Sequence, residues 1–182
     1  IEKQPEKLRE VAGIANKRIE IICQAWEEQK FIKEIMLFLQ SLGVSPGLAT
    51  KIYKTYGDAS IQIVRADPYR LAKDVYGIGF KTADKIARQM GLPPDSPMRI
   101  QSGLVYTLSK LSDDGHCYAT VDQLSNEAGR LLELPAPACQ EQIEVLRHQR
   151  ELIVDEDAIY LPPFFFSENG VSSKLRHMLK SP

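Results

Sequence analysis

The chain has 182 residues, enough for one large domain or two small ones with a real hydrophobic core. Apolar residues make up 43% and charged residues 26%, values typical of a soluble globular protein rather than a disordered or fibrous one. No apolar run approaches the roughly 18 residues that span a bilayer, and from the charged first ten residues we expect no signal peptide. Three separated cysteines fit a reducing compartment, so we expect a cytoplasmic protein with no membrane partner. A chain that begins with Ile1 is expected to be part of something longer.

The charge is unevenly distributed along the chain. The net charge is −1 overall, but residues 43–91 hold eight Lys and Arg against four Asp, a net +4. Residues 92–182 hold eight against thirteen, a net −5. A basic middle followed by an acidic end predicts two functional parts. The alternative is a chance fluctuation among solvated faces.

The first half predicts short helices separated by glycine turns. Apolar residues at helical spacing predict a helix over 27–42 that ends at Gly43. Ser45 and Pro46 predict an N-cap and first helical residue, and Gly57 predicts the end of that helix. Further helices are expected over 59–65 with Asp58 as cap, over 67–73 with Asp67 as cap, and over 80–90.

The second half predicts a different pattern. Three prolines within residues 92–97 predict a linker. Helices are expected over 98–113, from a cap at Thr120 or Asp122 to 132, and over 138–149, with a short extended piece at 116–119. Segments 152–154 and 158–161 predict a hairpin. This is the element order of a winged helix, and an amphipathic helix over 168–179 would follow it.

A repeat carries the functional prediction. Residues 77–86 align with residues 43–52 at an offset of 34, with Gly, an apolar residue, Ala, Lys and Ile in register. Residues 13–22 form a weaker third copy. Each copy is a glycine turn followed by a helix. Glycine allows positive φ and leaves backbone N–H groups open, and a helix N-terminus adds its dipole, so the turn predicts an anion site.

The residues 75–83 resemble the helix-hairpin-helix motif of proteins that bind DNA without sequence specificity. The match is close at Gly77, partial at Gly43, where Ser45 replaces the second glycine, and weak at Gly13. Residues 5–180 as a whole resemble the N-terminal region of RecD-like DNA helicases, the exodeoxyribonuclease V alpha subunit family. The stretches that carry this resemblance are 34–39, 43–57 and 67–87.

The resemblance implies a mostly α fold in which tandem helix-hairpin-helix repeats precede a helicase core. The element order predicts a winged-helix-like α+β module with a small antiparallel sheet after the repeats. We therefore expect a DNA-binding region over 1–91, the linker 92–97, the winged-helix-like module over 98–163, and a connector helix over 164–182 toward a missing helicase core. The parent would be an ATP-dependent helicase of DNA recombination and repair that uses ATP and Mg. The chain lacks a phosphate-binding loop, so we expect no cofactor and no enzyme activity in it.

The expected partner is DNA, single-stranded or at a junction, contacted through its backbone. Replacing Gly79 by a β-branched residue is expected to block that contact and to strain the turn. We expect no catalytic residues. We also expect no metal site, because His116, Cys117, Cys139 and His148 lack zinc-site spacing. Cys117 is expected in the core. The expected DNA-binding residues are Gly77, Ile78, Gly79, Phe80, Lys81, Thr82, Lys85, Gly43, Ser45, Gly47 and Lys51.

Two functions remain open at this point. The first is a DNA-engaging module of a helicase. The second is a protein-interaction scaffold, in which the hairpins pack on the motor domain or a partner subunit without touching DNA. The glycines could also be simple helix punctuation and the lysines ordinary solvated residues. Phe80 more often packs than stacks on a base. Salt-dependent DNA affinity discriminates the two functions, because phosphate contacts release counterions.

Overall fold

The computed structural model describes residues 16–180. The chain forms two compact units, and the boundary between them in the sequence falls between Met90 and Gly91. The expected mostly helical fold with one small antiparallel sheet is confirmed. Residues 43–91 contain no strand, as predicted. Among the described residues, no helix is both long and apolar enough to cross a bilayer.

The first unit consists of short helices joined by tight turns. Helix α1 (Asn16–Ser41) packs against α2 (Pro46–Tyr56) and α3 (Ser60–Ala66). Helix α4 (Arg70–Asp74) packs on α3 and on α5 (Phe80–Gln89). Its core is formed by fully buried aliphatic side chains from several of these helices, among them Ile35, Leu39, Ile52, Val64 and Leu71. The elements are α1 (Asn16–Ser41), α2 (Pro46–Tyr56), a 3-10 turn (Gly57–Ala59), α3 (Ser60–Ala66), α4 (Arg70–Asp74) and α5 (Phe80–Gln89).

Two of the predicted caps are right and two are wrong. The Ser45 hydroxyl accepts the N–H of Leu48 at 3.5 Å and Pro46 opens α2, as expected. Gly57 ends α2 with a φ of 55°. Asp58 caps no helix, because it lies inside the 3-10 turn that precedes α3. The Asp67 carboxylate accepts the N–H of Tyr69 at 2.9 Å, which makes a local turn, and α4 begins three residues later than predicted.

Helix α1 changes the interpretation of the third repeat. It begins eleven residues before the predicted start at 27 and runs from Asn16. The helical part of the weak third copy therefore belongs to the same long helix as residues 27–41. The turn predicted at Gly13 lies outside the described residues.

The second unit contains the sheet. Its three strands, β1 (Ala119–Thr120), β2 (Ile153–Asp155) and β3 (Ala158–Tyr160), are antiparallel in the order β1-β3-β2. Ile159 on the central strand β3 lies opposite Ala119 on one side and Val154 on the other. The predicted order of helix, strand, helix, helix, strand, strand is the order found. The elements are α6 (Pro97–Asp113), β1 (Ala119–Thr120), α7 (Val121–Leu132), α8 (Ala136–His148), β2 (Ile153–Asp155), β3 (Ala158–Tyr160) and α9 (Pro162–Lys180).

Local chemistry explains the boundaries in this unit. Of the two predicted caps for α7, Thr120 is the one used, and its hydroxyl accepts the N–H of Gln123 at 3.2 Å. The turn between β2 and β3 places Glu156 at a φ of 52°. Helix α9 begins at Pro162, six residues earlier than predicted, because proline fits the first helical turn, where no N–H is needed. The prediction for Cys117 is wrong, since its side chain is exposed.

A buried arginine holds the start of the second unit together. Arg99 in α6 is only 4% exposed. One of its terminal nitrogens donates to the Leu132 carbonyl at 2.9 Å, at the end of α7, and to the Pro94 carbonyl at 2.8 Å. The guanidinium therefore satisfies a helix C-terminus and fixes part of the proline-containing segment.

Candidate nucleic-acid interface

The second hairpin, formed by residues 75–79, is a tight turn between α4 and α5. Val75 and Ile78 are each 3% exposed and anchor its two sides in the core. The N–H of Ile78 donates to the Val75 carbonyl at 3.1 Å and closes the turn. Gly77 has a φ of +93°, a backbone conformation that an L-residue adopts only with strain. The glycine that the repeat predicted here is thus required by the fold.

Backbone donors converge at the start of α5. The N–H groups of Thr82 and Ala83 donate to the Gly79 carbonyl at 3.0 and 3.1 Å. The N–H groups of Gly77, Gly79 and Lys81 make no hydrogen bond within residues 16–180. These donors lie at the positive end of the helix dipole, which suits an anion. Ile78 and Thr82, both predicted to bind DNA, use their own N–H groups inside the hairpin.

Gly79 differs from Gly77 in what it tolerates. Its φ is −98° and its ψ 175°, an extended conformation open to any residue. A β-carbon on Gly79 would meet no atom of residues 16–180 within 4 Å. The expectation that a β-branched residue would strain the turn is therefore wrong. The open space in front of Gly79 is the space that a bound anion would occupy.

Two predicted DNA-binding residues have buried side chains. Ile78 is 3% and Phe80 4% exposed. The Phe80 ring stacks on Tyr69, with 5.8 Å between ring centroids and 17° between planes. This pair packs the first turn of α5 against the residues before α4. Ile78 and Phe80 therefore position the hairpin, and neither offers its side chain to a ligand.

The polar face of α5 is cationic. Lys81, Lys85 and Arg88 recur at helical spacing and line an open groove together with Asp84 and Gln89. The Asp84 carboxylate accepts the Tyr69 hydroxyl at 2.7 Å. Among the described residues, none of the three cations forms an ion pair. Three cations against one hydrogen-bonded carboxylate make this face an attractive surface for phosphates. Arg88 is a candidate that the repeat alignment missed, although its spacing from Lys81 and Lys85 would have indicated it.

The first hairpin has the same backbone plan with fewer open donors. Gly43 has a φ of +70°, and its N–H donates to the Gln40 carbonyl at 2.9 Å. The Val44 N–H also bonds back to α1, at the Leu39 carbonyl. The N–H groups of Ser45 and Gly47 have no partner within the described part of the chain. In the part of the chain that the structure describes, no atom lies within 4 Å of a β-carbon placed on Gly47.

Lys51 joins the two hairpins. The repeat placed it on the helix of the first hairpin, but its ammonium donates to the carbonyl of Tyr76 at 3.3 Å in the second. The same nitrogen lies 5.6 Å from the centroid of the Tyr76 ring. On the other side, a β-carbon on Gly43 would lie 3.1 Å from Oε1 of Gln89, at the end of α5. Each hairpin thus contacts the helix that follows the other.

A hydrogen-bonded trio fixes the approach to the second hairpin. Asp74, the last residue of α4, accepts the Tyr56 hydroxyl and the Arg70 Nε, both at 2.9 Å. Hydrogen bonds from Arg70 and then Tyr56 lower the pKa of Asp74. Burial and then the bond to Asp74 raise the pKa of Tyr56, so its hydroxyl remains a donor. The trio ties the end of α2 to the residue before Val75.

No alternative chemistry is evident at this site. The described residues contain no group of three or more His, Cys, Asp or Glu side chains placed to hold a metal ion. The site consists of backbone donors, two lysines and an arginine, together with one exposed tyrosine, Tyr76, that the sequence did not indicate. The chemistry of these groups suits an anion.

Two glycine hairpins, each followed by a helix and linked through Lys51 and Gln89, define a helix-hairpin-helix protein. The family model described as "ATP-dependent RecD2 DNA helicase HHH domain" matches residues 28–118. The chain belongs to this family. Over 204 aligned residues it is 26% identical to the ATP-dependent RecD2 DNA helicase of Deinococcus radiodurans. That alignment covers 100% of this chain and 27% of the helicase, so the chain spans about a quarter of its relative's length.

Proposed function

We propose that this chain is the DNA-binding region of an ATP-dependent, RecD-like DNA helicase that acts in DNA recombination and repair. The observation that supports it best is the convergence of the open N–H groups of Gly77, Gly79 and Lys81 with the cationic face of α5. Family membership supports the helicase context.

The proposed contact is with the DNA backbone. A phosphate would accept the N–H groups of Gly79 and Lys81, and the Lys81 ammonium would neutralise its charge. Lys85 and Arg88 lie further along α5 and would meet the next phosphates of the same strand. Such contacts position DNA and carry no sequence information. The first hairpin would make a second contact through Ser45 and Gly47.

The remaining parts of the proposal concern the longer protein. ATP and Mg would be bound by a helicase core elsewhere in the parent, which we place in the cytoplasm. Residues 98–163 would form a winged-helix-like module, a proposal supported by the order of their elements and by the strand order β1-β3-β2.

The salt dependence of DNA affinity tests the phosphate contact. Each phosphate contact contributes about 0.9 to the slope of log affinity against log salt on duplex DNA, and about 0.7 on a single strand. Lys81→Ala is therefore expected to weaken binding and flatten the slope by roughly that amount, equally for unrelated sequences. Lys54→Ala in α2 removes the same charge outside the groove and serves as the matched control. Equal affinity and slope for wild type and Lys81→Ala would refute the contact.

The scaffold function remains as the second candidate, because one helix offers an apolar face. Val171, Leu175 and Met178 on α9 are 58%, 54% and 70% exposed, and their spacing places them on one side of the helix. This face supports α9 as the connector to the helicase core. A pure scaffold predicts no salt-dependent DNA binding, and predicts that Leu175→Glu weakens association with the rest of the parent protein.

A further inference from the structure

Tyr76 stands out from its neighbours in the second hairpin. Its side chain is 92% exposed, whereas Val75 before it and Ile78 after it are each 3% exposed. Among the large hydrophobic side chains that the structure describes as exposed, none has a higher exposed fraction than Tyr76. The ring thus stands on the outside of a turn whose other apolar side chains are in the core.

The backbone beneath the ring is held from two directions. Lys51 donates to the Tyr76 carbonyl at 3.3 Å, and the Ile78 N–H closes the turn at the Val75 carbonyl. Gly77, the residue after Tyr76, is restricted to a positive φ by the turn. A ring on a rigid backbone loses little conformational entropy when a ligand covers it.

The ring also has a cation at its side. The Lys51 ammonium lies 5.6 Å from the ring centroid, within the range of a cation–π contact. With 92% of the side chain exposed, a flat π-surface remains available. The open N–H of Gly77 belongs to the very next residue.

We propose that Tyr76 stacks on an unpaired nucleobase, so that the second hairpin binds single-stranded DNA in preference to duplex. A nucleotide combines a phosphate for the N–H groups with a flat ring for the tyrosine, and aromatic stacking accepts every base. Within a duplex both faces of a base are covered by its neighbours, so only an unpaired base can use this ring. The inference rests on the proposed DNA-binding function and specifies its substrate.

The test compares three fluorescent DNA probes by anisotropy, using this 182-residue chain. The probes are a 12-nucleotide thymidine strand, the same strand with abasic sites, and a closed dumbbell duplex without free ends. Wild type is expected to bind the thymidine strand more tightly than the other two. Loss of one stacked base costs roughly five- to hundredfold in affinity. Tyr76→Ala is therefore expected to lower the affinity for the thymidine strand by that factor and to leave the affinities for the other two probes unchanged.

Two further variants separate stacking from apolar contact and from charge. Tyr76→Phe keeps the ring and is expected to bind as wild type, whereas Tyr76→Leu keeps apolar volume without a flat ring and is expected to resemble Tyr76→Ala. Lys81→Ala is expected to lower the salt slope, which Tyr76→Ala leaves unchanged because stacking releases few counterions.

The possible failures are distinguishable. If Tyr76→Ala leaves the affinity for the thymidine strand unchanged while Lys81→Ala lowers it, the stacking role is overturned and the DNA-binding function stands. If Tyr76→Ala weakens all three probes alike, the ring acts through the fold and the inference is also overturned. If neither variant changes affinity for any probe, both the inference and the proposed phosphate contact fail.

Discussion

Gly77 and Gly79 are two residues apart, yet the structure predicts different effects of alanine at the two positions. At Gly77 the φ of +93° forces an L-residue into a left-handed conformation that costs roughly 1–2 kcal/mol. Among the described residues, the only atom within 4 Å of its β-carbon is the Lys51 ammonium at 3.3 Å, the end of a flexible side chain that can move away. The backbone cost therefore dominates, and Gly77→Ala is expected to destabilise the first unit.

At Gly79 the same substitution is expected to change the stability little. Its extended backbone suits alanine, and no described residue lies within 4 Å of the added β-carbon. Restriction of the unfolded chain typically gains about 0.4–1 kcal/mol, and this gain is opposed because Gly79 is the N-cap of α5, where alanine is less favourable than glycine. Since 1 kcal/mol shifts the Tm of a small domain by roughly 4–8 °C, the two variants should differ by several degrees in a melt followed by circular dichroism.

The same pair separates folding from binding. Gly79→Val should melt near wild type and yet bind DNA more weakly, because its methyl groups occupy the space in front of the open N–H groups. Equal losses of Tm at Gly77 and Gly79 would refute the backbone assignment of the hairpin. Undiminished DNA affinity in Gly79→Val would show that phosphate does not approach at this point.

Three other predictions concern the rest of the chain. The lowered pKa of Asp74 means that its hydrogen bonds stabilise the fold above pH 3.8, the ordinary pKa of the group, and that this stability is lost as the pH falls through the lower pKa of the folded state. The Tm gap between wild type and Asp74→Asn should therefore narrow as the pH is lowered below 3.8. Gly129→Ala should destabilise the second unit by about 1–3 kcal/mol in urea titration, because its β-carbon would lie 2.8 Å from the Leu134 carbonyl oxygen. Isothermal calorimetry should detect no ATP binding to this chain, which has no phosphate-binding loop.

Periodicity and turn chemistry predicted much of the fold. The Ser45 cap, the Gly57 terminus, the Thr120 cap and the hairpin from β2 to β3 follow from interactions between residues close in sequence. Errors arose where two local signals competed. Pro162 fits both the end of a strand and the first turn of a helix, and only the packing of the second unit decides between them.

The site was predicted less completely than the fold. The repeat located both hairpins, because glycine at positive φ is a backbone requirement visible in sequence. It could not reveal that Phe80 is buried on Tyr69 or that Tyr76 is exposed, since an aromatic residue beside a glycine turn fits either environment. The contact of Lys51 with the second hairpin could not be predicted, because sequence proximity says nothing about which neighbouring turn a long side chain reaches.

The Arg99 hydrogen bonds bear on how the second unit could be isolated as a fragment. A fragment beginning at residue 98 would contain every helix and strand of that unit except the first residue of α6, but it would lack the Pro94 carbonyl that accepts the buried guanidinium. A lost hydrogen bond to a charged group costs about 1.5–3 kcal/mol. A cut at Gly91 keeps this acceptor, so the domain boundary for expression is set by a side chain eight residues inside it rather than by the prolines themselves.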